Sequence, residues 1–394
     1  MSDAPERAQA LVERVRGLAP LAGEHAAENE RERRLAPAVV DAFESAGLFR
    51  LFLPERFGGA GLDYVEGMPV IEEAAAADGS AGWNLAIGAG TLSFAMLLDD
   101  DAAIEEILKT PHALCAGSVN PMALRVVPAE GGGYRVKGRL QYASGVTQSR
   151  WLIAGGLVFD GDLPRFTAEG APVLRGAFFP TSEARVLDTW RVNGLAGTGS
   201  HDVEVADVFV PAARTWDLLA TEPKRHDPLA AISLPSRLGV SLVAVGIGIL
   251  RRAIEELAAL AAAKSPFLSR GALLRDRASV QIDVARAAGL LDGARAHVRM
   301  VCAEVFERVR RGGAPAVPDL ARLRLAYVTA TEQLLRGVEL VRAAAGMNAI
   351  QSGSPLERCW RDLHAVSQHF ALSTTHYERI GKVRLGLDPG PGPI

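Results

Sequence analysis

The stretch Glu130-Gly131-Gly132-Gly133-Tyr134-Arg135-Val136-Lys137-Gly138-Arg139 decides the fold class. Its three glycines make a turn. After them Tyr134, Val136 and Gly138 alternate with Arg135, Lys137 and Arg139. That alternation is the signature of a strand with one apolar and one polar face. The same short period runs from about residue 113 to 215. Trp151 to Phe159 reads as an apolar strand ending in the turn Asp160-Gly161-Asp162. Residues 173–180 and 184–190 give further strands, and Val203, Val205, Val208 and Val210 give one closed by Pro211. Hairpin turns between these runs predict antiparallel pairing. No long helices interleave them, as a parallel sheet would need.

On either side of this segment the period lengthens. Upstream, residues 6–16, 21–33, 37–47, 64–78, 80–98 and 100–109 read as helices. Gly47 suits a C-terminal helix cap and Ser80 an N-cap. Downstream, Leu238, Leu242, Val245, Ile249 and Ile254 recur at helical spacing. So do Val280, Val284, Ala287, Leu291 and Ala294, and then Leu320, Leu323, Tyr327, Leu334, Val338 and Val341. A fourth helix starts near Pro355 and runs past His376. Such faces bury against one another in a bundle. The expected architecture is mainly α with a central β domain. Residues 1–112 form an N-terminal helical domain, 113–228 the β domain, and 229–394 a C-terminal helical bundle and tail. The Pro/Gly tail from Asp388 to Ile394 suits neither helix nor central strand.

With 394 residues, 48% of them hydrophobic, the chain can bury more than one core. Forty-three Lys and Arg against 46 Asp and Glu leave a net charge of -3, so nucleic acid is not an expected partner. The start Met1-Ser2-Asp3-Ala4-Pro5-Glu6 lacks the basic leader and apolar run of a signal peptide. No apolar run reaches the roughly 18 residues of a membrane span. Cys115, Cys302 and Cys359 lie far apart, which suits a reducing, cytoplasmic compartment better than a disulfide scaffold.

Several common motifs are missing: the dinucleotide-binding glycine turn, the phosphate-binding loop, the His-Glu-x-x-His zinc helix and the Gly-x-Ser-x-Gly elbow. No metal is expected. His201, Asp202 and Glu204 on one strand are too compact a set, with neighbours facing opposite ways. Three stretches carry chemistry. Ala116 to Pro121 holds Ser118 and Asn120, and Gly138 to Gly145 holds Ser144. Hydroxyl and amide groups at a strand-to-turn junction can bond the heteroatoms of a planar cofactor. Ordinary turn capping explains the same residues. The third stretch, Trp360 to His369, holds Arg361, Asp362, His364 and His369. On a continuous helix His369 shares the face of Asp362, while His364 lies about 140° round from it. A structural histidine is the plainer reading. Trp83 and Trp190 suit the wall of a pocket or simple core packing. Arg270 and Arg275 flank the start of a bundle helix. Their guanidinium forks suit a phosphate, with surface charge as the alternative.

The segment Leu51-Phe52-Leu53-Pro54-Glu55-Arg56-Phe57-Gly58-Gly59-Ala60-Gly61-Leu62 resembles the N-terminal signature of the acyl-CoA dehydrogenase superfamily. Further matches are Asp78 to Trp83, Gly138 to Gly145, Thr198-Gly199-Ser200, Val205 to Pro211, and Arg361-Asp362. The resemblance implies an N-terminal helical domain, a β-barrel-like middle domain and a C-terminal four-helix bundle. It also implies a flavin between them, usually in a homotetramer. Dehydrogenases of the family need a carboxylate base at one of two places. Here those places look like Phe370 and Ser236, the latter beside Arg237, and neither is an acid.

The chain is more similar to the oxygenase component of two-component (group D) flavin-dependent monooxygenases acting on aromatics. Arg361-Asp362 followed by His369 carries that likeness, with Asp188-Thr189-Trp190 and Gly197 to Ser200. The likeness implies O2 and reduced FMN or FAD, with FMN ranked first. A separate NAD(P)H-dependent flavin reductase would supply the flavin. A phenolic or other aromatic substrate would be hydroxylated through a C4a-hydroperoxyflavin, in a pocket kept dry. His369 would stand near the reacting end, deprotonating a phenol or hydrogen-bonding the peroxide. Ser144 would donate near flavin N5, and Asn120 would line the cleft where related oxygenases can carry a histidine. Ser118, Trp83, Ser200, Arg270, Arg275 and Arg361 would add cofactor contacts. Dehydrogenase or oxidase chemistry, N- or S-oxygenation, and non-catalytic flavin binding remain alternatives.

Overall fold

Between Arg50 and Leu62 the chain doubles back on itself. The N–H groups of Ala60, Gly61 and Leu62 donate to the carbonyls of Arg50, Leu53 and Leu51 at 3.1, 2.9 and 3.1 Å. A Cβ at Gly59 would lie 2.0 Å from the Leu53 carbonyl oxygen, so only glycine closes this turn. The computed structural model describes residues 4–220, 222–266 and 271–390.

Six helices precede the sheet: α1 Ala4–Glu24, α2 Ala26–Glu32, α3 Pro37–Ser45, α4 Met68–Ala77, α5 Gly79–Ser93 and α6 Asp101–Lys109. Two differ from expectation. α1 runs through Pro20 rather than breaking before it, because Leu11, Val12, Val15 and Ala22 bury one continuous face. α5 is capped by Asp78, whose side chain accepts the Ser80 N–H at 3.3 Å, so Ser80 lies inside the first turn and is not the cap.

Nine strands follow: β1 Cys115–Ser118, β2 Leu124–Ala129, β3 Gly133–Ala143, β4 Trp151–Asp160, β5 Leu163–Pro164, β6 Leu174–Pro180, β7 Arg185–Leu187, β8 His201–Pro211 and β9 Thr215–Asp217. The main order is β7-β8-β3-β2-β4-β6-β9. Most pairs are antiparallel, but β4 runs parallel to both β1 and β2, so the sheet is mixed rather than antiparallel throughout. The reason is burial. β4 is covered on both faces along most of its length, as parallel strands are. Leu152 and Ala154 enter a β core with Val126, Val136, Phe179 and Val203. Trp151 and Ile153, on the other face, join the helical core.

The C-terminal part contains α7 Leu234–Ala263, α8 Ala278–Arg310, α9 Val317–Ala345, α10 Pro355–Ser367 and α11 His376–Arg384. The expected continuous helix past His376 is in fact two. After Ser367 the chain makes a 3-10 turn over Phe370–Leu372 before α11 begins. His369 starts that turn with an extended ψ of 136°. Its imidazole accepts the Ala371 N–H, and Ser373 bonds Thr375, so local side-chain bonds replace helical ones. Of the proline-rich tail, residues 391–394 lie outside the described residues. Among the described residues no helix is long and apolar enough to cross a membrane.

Candidate active site

Trp83 occupies the second turn of α5. The helix presses on α4 so closely that a Cβ at Gly82 would lie 2.4 Å from Ala75. This seats the Trp83 indole against the end of β3. Its Nε1–H donates to Ser144 Oγ at 2.9 Å. Ser144 and Ser200 hydroxyls are 2.8 Å apart, and Ser200 and Thr198 are 2.7 Å apart. Thr198 donates to the Leu195 carbonyl at 2.8 Å. All three hydroxyl residues are buried.

Each hydroxyl has one proton, so the direction of this chain follows. Thr198 gives its proton to Leu195 and accepts from Ser200. Ser200 accepts from Ser144, and Ser144 accepts from Trp83. Ser144 is left with a lone pair and no further proton to give. In this arrangement Ser144 donates to Ser200, and toward a neighbouring group it presents an oxygen lone pair.

Leu195 anchors the far end. Its φ of 52° is unusual for a branched residue. Its N–H donates to Asp362 Oδ1 at 2.6 Å, which ties the chain to α10. Burial, with a further push from Asp78, raises the Asp362 carboxyl to about 7.

His369 packs edge-on against Trp83, with ring centroids 5.8 Å apart and planes at 64°. Burial, with the nearby Arg324 charge, pulls its pKa down to about 4, so the ring is neutral at physiological pH. Nδ1 accepts the Ala371 N–H at 3.1 Å. In a neutral imidazole the proton must then be on Nε2, which makes His369 a donor there. His364 points elsewhere. Its Nδ1 meets the Trp360 carbonyl at 2.8 Å, and its Nε2 lies 3.3 Å from Glu339.

The structure thus brings together Trp83, Ser144, Ser200 and His369, and adds Thr198. It does so without a shared helical face for Asp362 and His369, since His369 is off the helix. Other candidates stand apart. Asn120 is exposed, and its Oδ1 accepts the Met122 N–H at 3.0 Å. Ser118 accepts the Asn120 N–H at 3.3 Å. Both behave as turn caps. Arg361 is engaged by Glu30, Glu357 and the Asn193 carbonyl, bracing α10 against α2. Arg275 is exposed just ahead of α8, and Arg270 lies outside the described residues. Trp190 packs on Tyr142 at 6.3 Å. Among the described residues no cluster of His, Cys, Asp or Glu could hold a metal.

A further residue escaped the sequence reading. Arg324 is buried on α9, donating to Ala371 O at 3.0 Å and to Ser236 Oγ at 3.3 Å. A signal existed. Arg324 lies four after Leu320 and three before Tyr327, on the apolar stripe of its helix.

The fold is the one the resemblance implies, a helical part, a β domain and a helical bundle, and Phe370 and Ser236 are the residues at the two places where that resemblance would put a carboxylate. Comparison with known proteins agrees. The sequence matches the family models "Acyl-CoA dehydrogenase, N-terminal domain" over residues 5–100 and "Acyl-CoA dehydrogenase, C-terminal domain" over residues 240–374. It is 32% identical over 385 residues to indole-3-acetate monooxygenase of Pseudomonas putida, covering 98% of this chain and 94% of that protein. It is 29% identical to the oxygenase component of the FADH(2)-dependent resorcinol hydroxylase of Rhizobium sp. (strain MTP-10005), covering 99% and 98%. The solved structure of XiaF from Streptomyces sp., in complex with FADH2 and glycerol, superposes with a TM-score of 0.88 at 25% identity, covering 100% of this chain and 99% of that one. The chain belongs to the acyl-CoA dehydrogenase superfamily and, within it, to the oxygenase components of flavin-dependent monooxygenases.

Proposed function

We propose that this protein hydroxylates a phenolic or other aromatic substrate, using O2 and FMN or FAD reduced by a separate NAD(P)H-dependent reductase. The observation that carries this reading is the Trp83–Ser144–Ser200 chain beside a neutral His369, with no acid at either dehydrogenase position. The relatives in Pseudomonas putida and Rhizobium are named for aromatic substrates.

The donor set fits a reduced flavin. Ser144 offers a lone pair and no free proton, and reduced flavin carries an N–H at N5 where oxidised flavin carries a bare nitrogen. Trp83, Ser144 and Ser200 would hold the cofactor. When bound, reduced flavin supplies the activation of oxygen. The chain's own residues then do three things. The Leu195 carbonyl, through Thr198 and Ser200, takes up the Ser144 proton, and Trp83 anchors the Ser144 oxygen. Burial around His369 keeps water and its protons out, which suppresses release of hydrogen peroxide. His369 presents Nε2–H as a donor to the oxygen being transferred or to the substrate hydroxyl. Acting as a base at Nε2 would require a proton on Nδ1, facing the Ala371 N–H, so the donor role is favoured over deprotonation.

The test is single turnover with chemically reduced FMN or FAD, oxygen and a panel of phenols and indoles, measuring product and peroxide separately. The wild type should yield product. His369→Ala should lose product formation by roughly 100- to 1000-fold, as for a missing transition-state donor, while peroxide rises. Unchanged product yield would remove His369 from the role. Failure to bind either reduced flavin would end the reading.

A further inference from the structure

Arg237 and Arg324 head the largest fully buried side chains. Arg237 has a counter-ion in Asp227. Arg324 has none among the described residues. Its guanidinium meets two neutral oxygens, Ala371 O and Ser236 Oγ, and its Nε–H has no partner. A guanidinium carries five N–H donors, so two bonds leave three unused. A buried charge without an opposite charge is strongly disfavoured, and burial draws the group down to about 10.

Its location gives the missing charge a source. Arg324 bridges Ser236 and the Phe370–Ala371 turn, the two places where dehydrogenases of the superfamily would carry their carboxylate. The Phe370 ring lies 6.0 Å from the guanidinium and is 61% exposed, while Arg324 is 2% exposed, so the ring stands between the buried cation and solvent. His369 is the preceding residue, already against Trp83. A cation remains here although no side chain among the described residues supplies the anion.

We infer that Arg324 is the counter-ion of the substrate. A carboxylate borne on the side chain of the aromatic substrate docks on the unused N–H groups between Ser236 and the Phe370–Ala371 turn, and so holds the ring beside His369. A carboxylate fits better than a phenol. It is already ionised at neutral pH, and its two oxygens match the guanidinium fork. This rests on the monooxygenase reading and narrows it to acidic aromatics.

The experiment is anaerobic titration of the full-length protein, with reduced flavin present, using indole-3-acetate and the neutral indole-3-acetamide. The acid should bind more tightly than the amide. Arg324→Gln should weaken the acid by roughly 10- to 100-fold, as when one member of a buried charge pair is removed, with little change for the amide. Arg324→Lys should recover part of the loss. Equal affinity of the wild type for acid and amide would overturn the inference, as would binding of neither. Equal weakening of both by Arg324→Gln would reduce Arg324 to a brace for the turn. The wild-type comparison decides the matter even if the variants fail to fold. Turnover of neutral phenols without acid binding would sink the Arg324 role alone. No turnover of any aromatic would sink the monooxygenase reading beneath it.

Discussion

Asp362 shows how a family motif becomes a physical constraint. It holds Leu195 in a left-handed conformation through one short bond, and Leu195 in turn accepts from Thr198 and so ends the hydroxyl chain that starts at Ser144. Asp78 is buried nearby and also raised, chiefly by desolvation; Arg361 lowers Asp362 and Glu30 raises it. The carboxyl moves from 3.8 unfolded to about 7 folded. Between those values the folded state holds a proton that the unfolded state has released, so stability falls as pH rises through that window and levels off above it. His369 works oppositely, costing stability as pH falls from 6.5 to about 4. Between pH 6 and 8 Asp362 alone costs about 1.4 kcal/mol, offset in part by about 0.8 kcal/mol from His369. Asp362→Asn keeps an oxygen for the Leu195 N–H and should remove the Asp362 contribution, raising stability at pH 8 relative to pH 6 in urea unfolding. An identical slope in the variant would place the proton elsewhere.

Elements aim these residues. Gly82 lets α5 lie on α4, and Trp83 is its neighbour. Gly82→Ala gains up to about 1 kcal/mol of helix propensity but drives a Cβ to 2.4 Å from Ala75. Overpacking typically costs about 1–3 kcal/mol, so the clash should win. A lowered melting temperature, with less product per flavin oxidised as Trp83 shifts, is the expected result. A more stable variant with unchanged coupling would show that the helices can part freely.

At this scale the sequence was legible where one periodicity ruled. The stripes of α7 to α9 and the alternation of β3 both stood out. It was opaque where side chains compete with the backbone. His369 reads as helical from its neighbours, yet its own imidazole ends the regular pattern. Parallel pairing of β4 was hidden because a strand covered on both faces has no alternation to show. Ser144 and Ser200 are 56 apart in sequence, and only the β3–β8 ribbon brings them together. Arg324 was readable as a charge on an apolar stripe, but its meaning required Ser236 and Ala371 beside it.

In the whole molecule both helical parts share one core, which packs on one face of the sheet, with the site where α5, β3, β8 and the His369 turn converge. No part of the sequence carries the glycine turn that would bind a nicotinamide. The purified protein with NADH and flavin alone should therefore consume no oxygen beyond background. Adding any flavin reductase, or flavin reduced chemically under nitrogen and then exposed to air, should restore turnover. Oxygen uptake driven by NADH alone in the isolated protein would contradict a two-component arrangement.

One contact has an optical consequence. A protonated imidazole quenches indole emission and a neutral one does so far less, and His369 lies edge-on to Trp83. With the other four tryptophans replaced, Trp360 beside His364 among them, that indole becomes a resident dye for the charge on its neighbour. Its brightness can be followed in the dark enzyme, before any colour from the cofactor enters the cuvette.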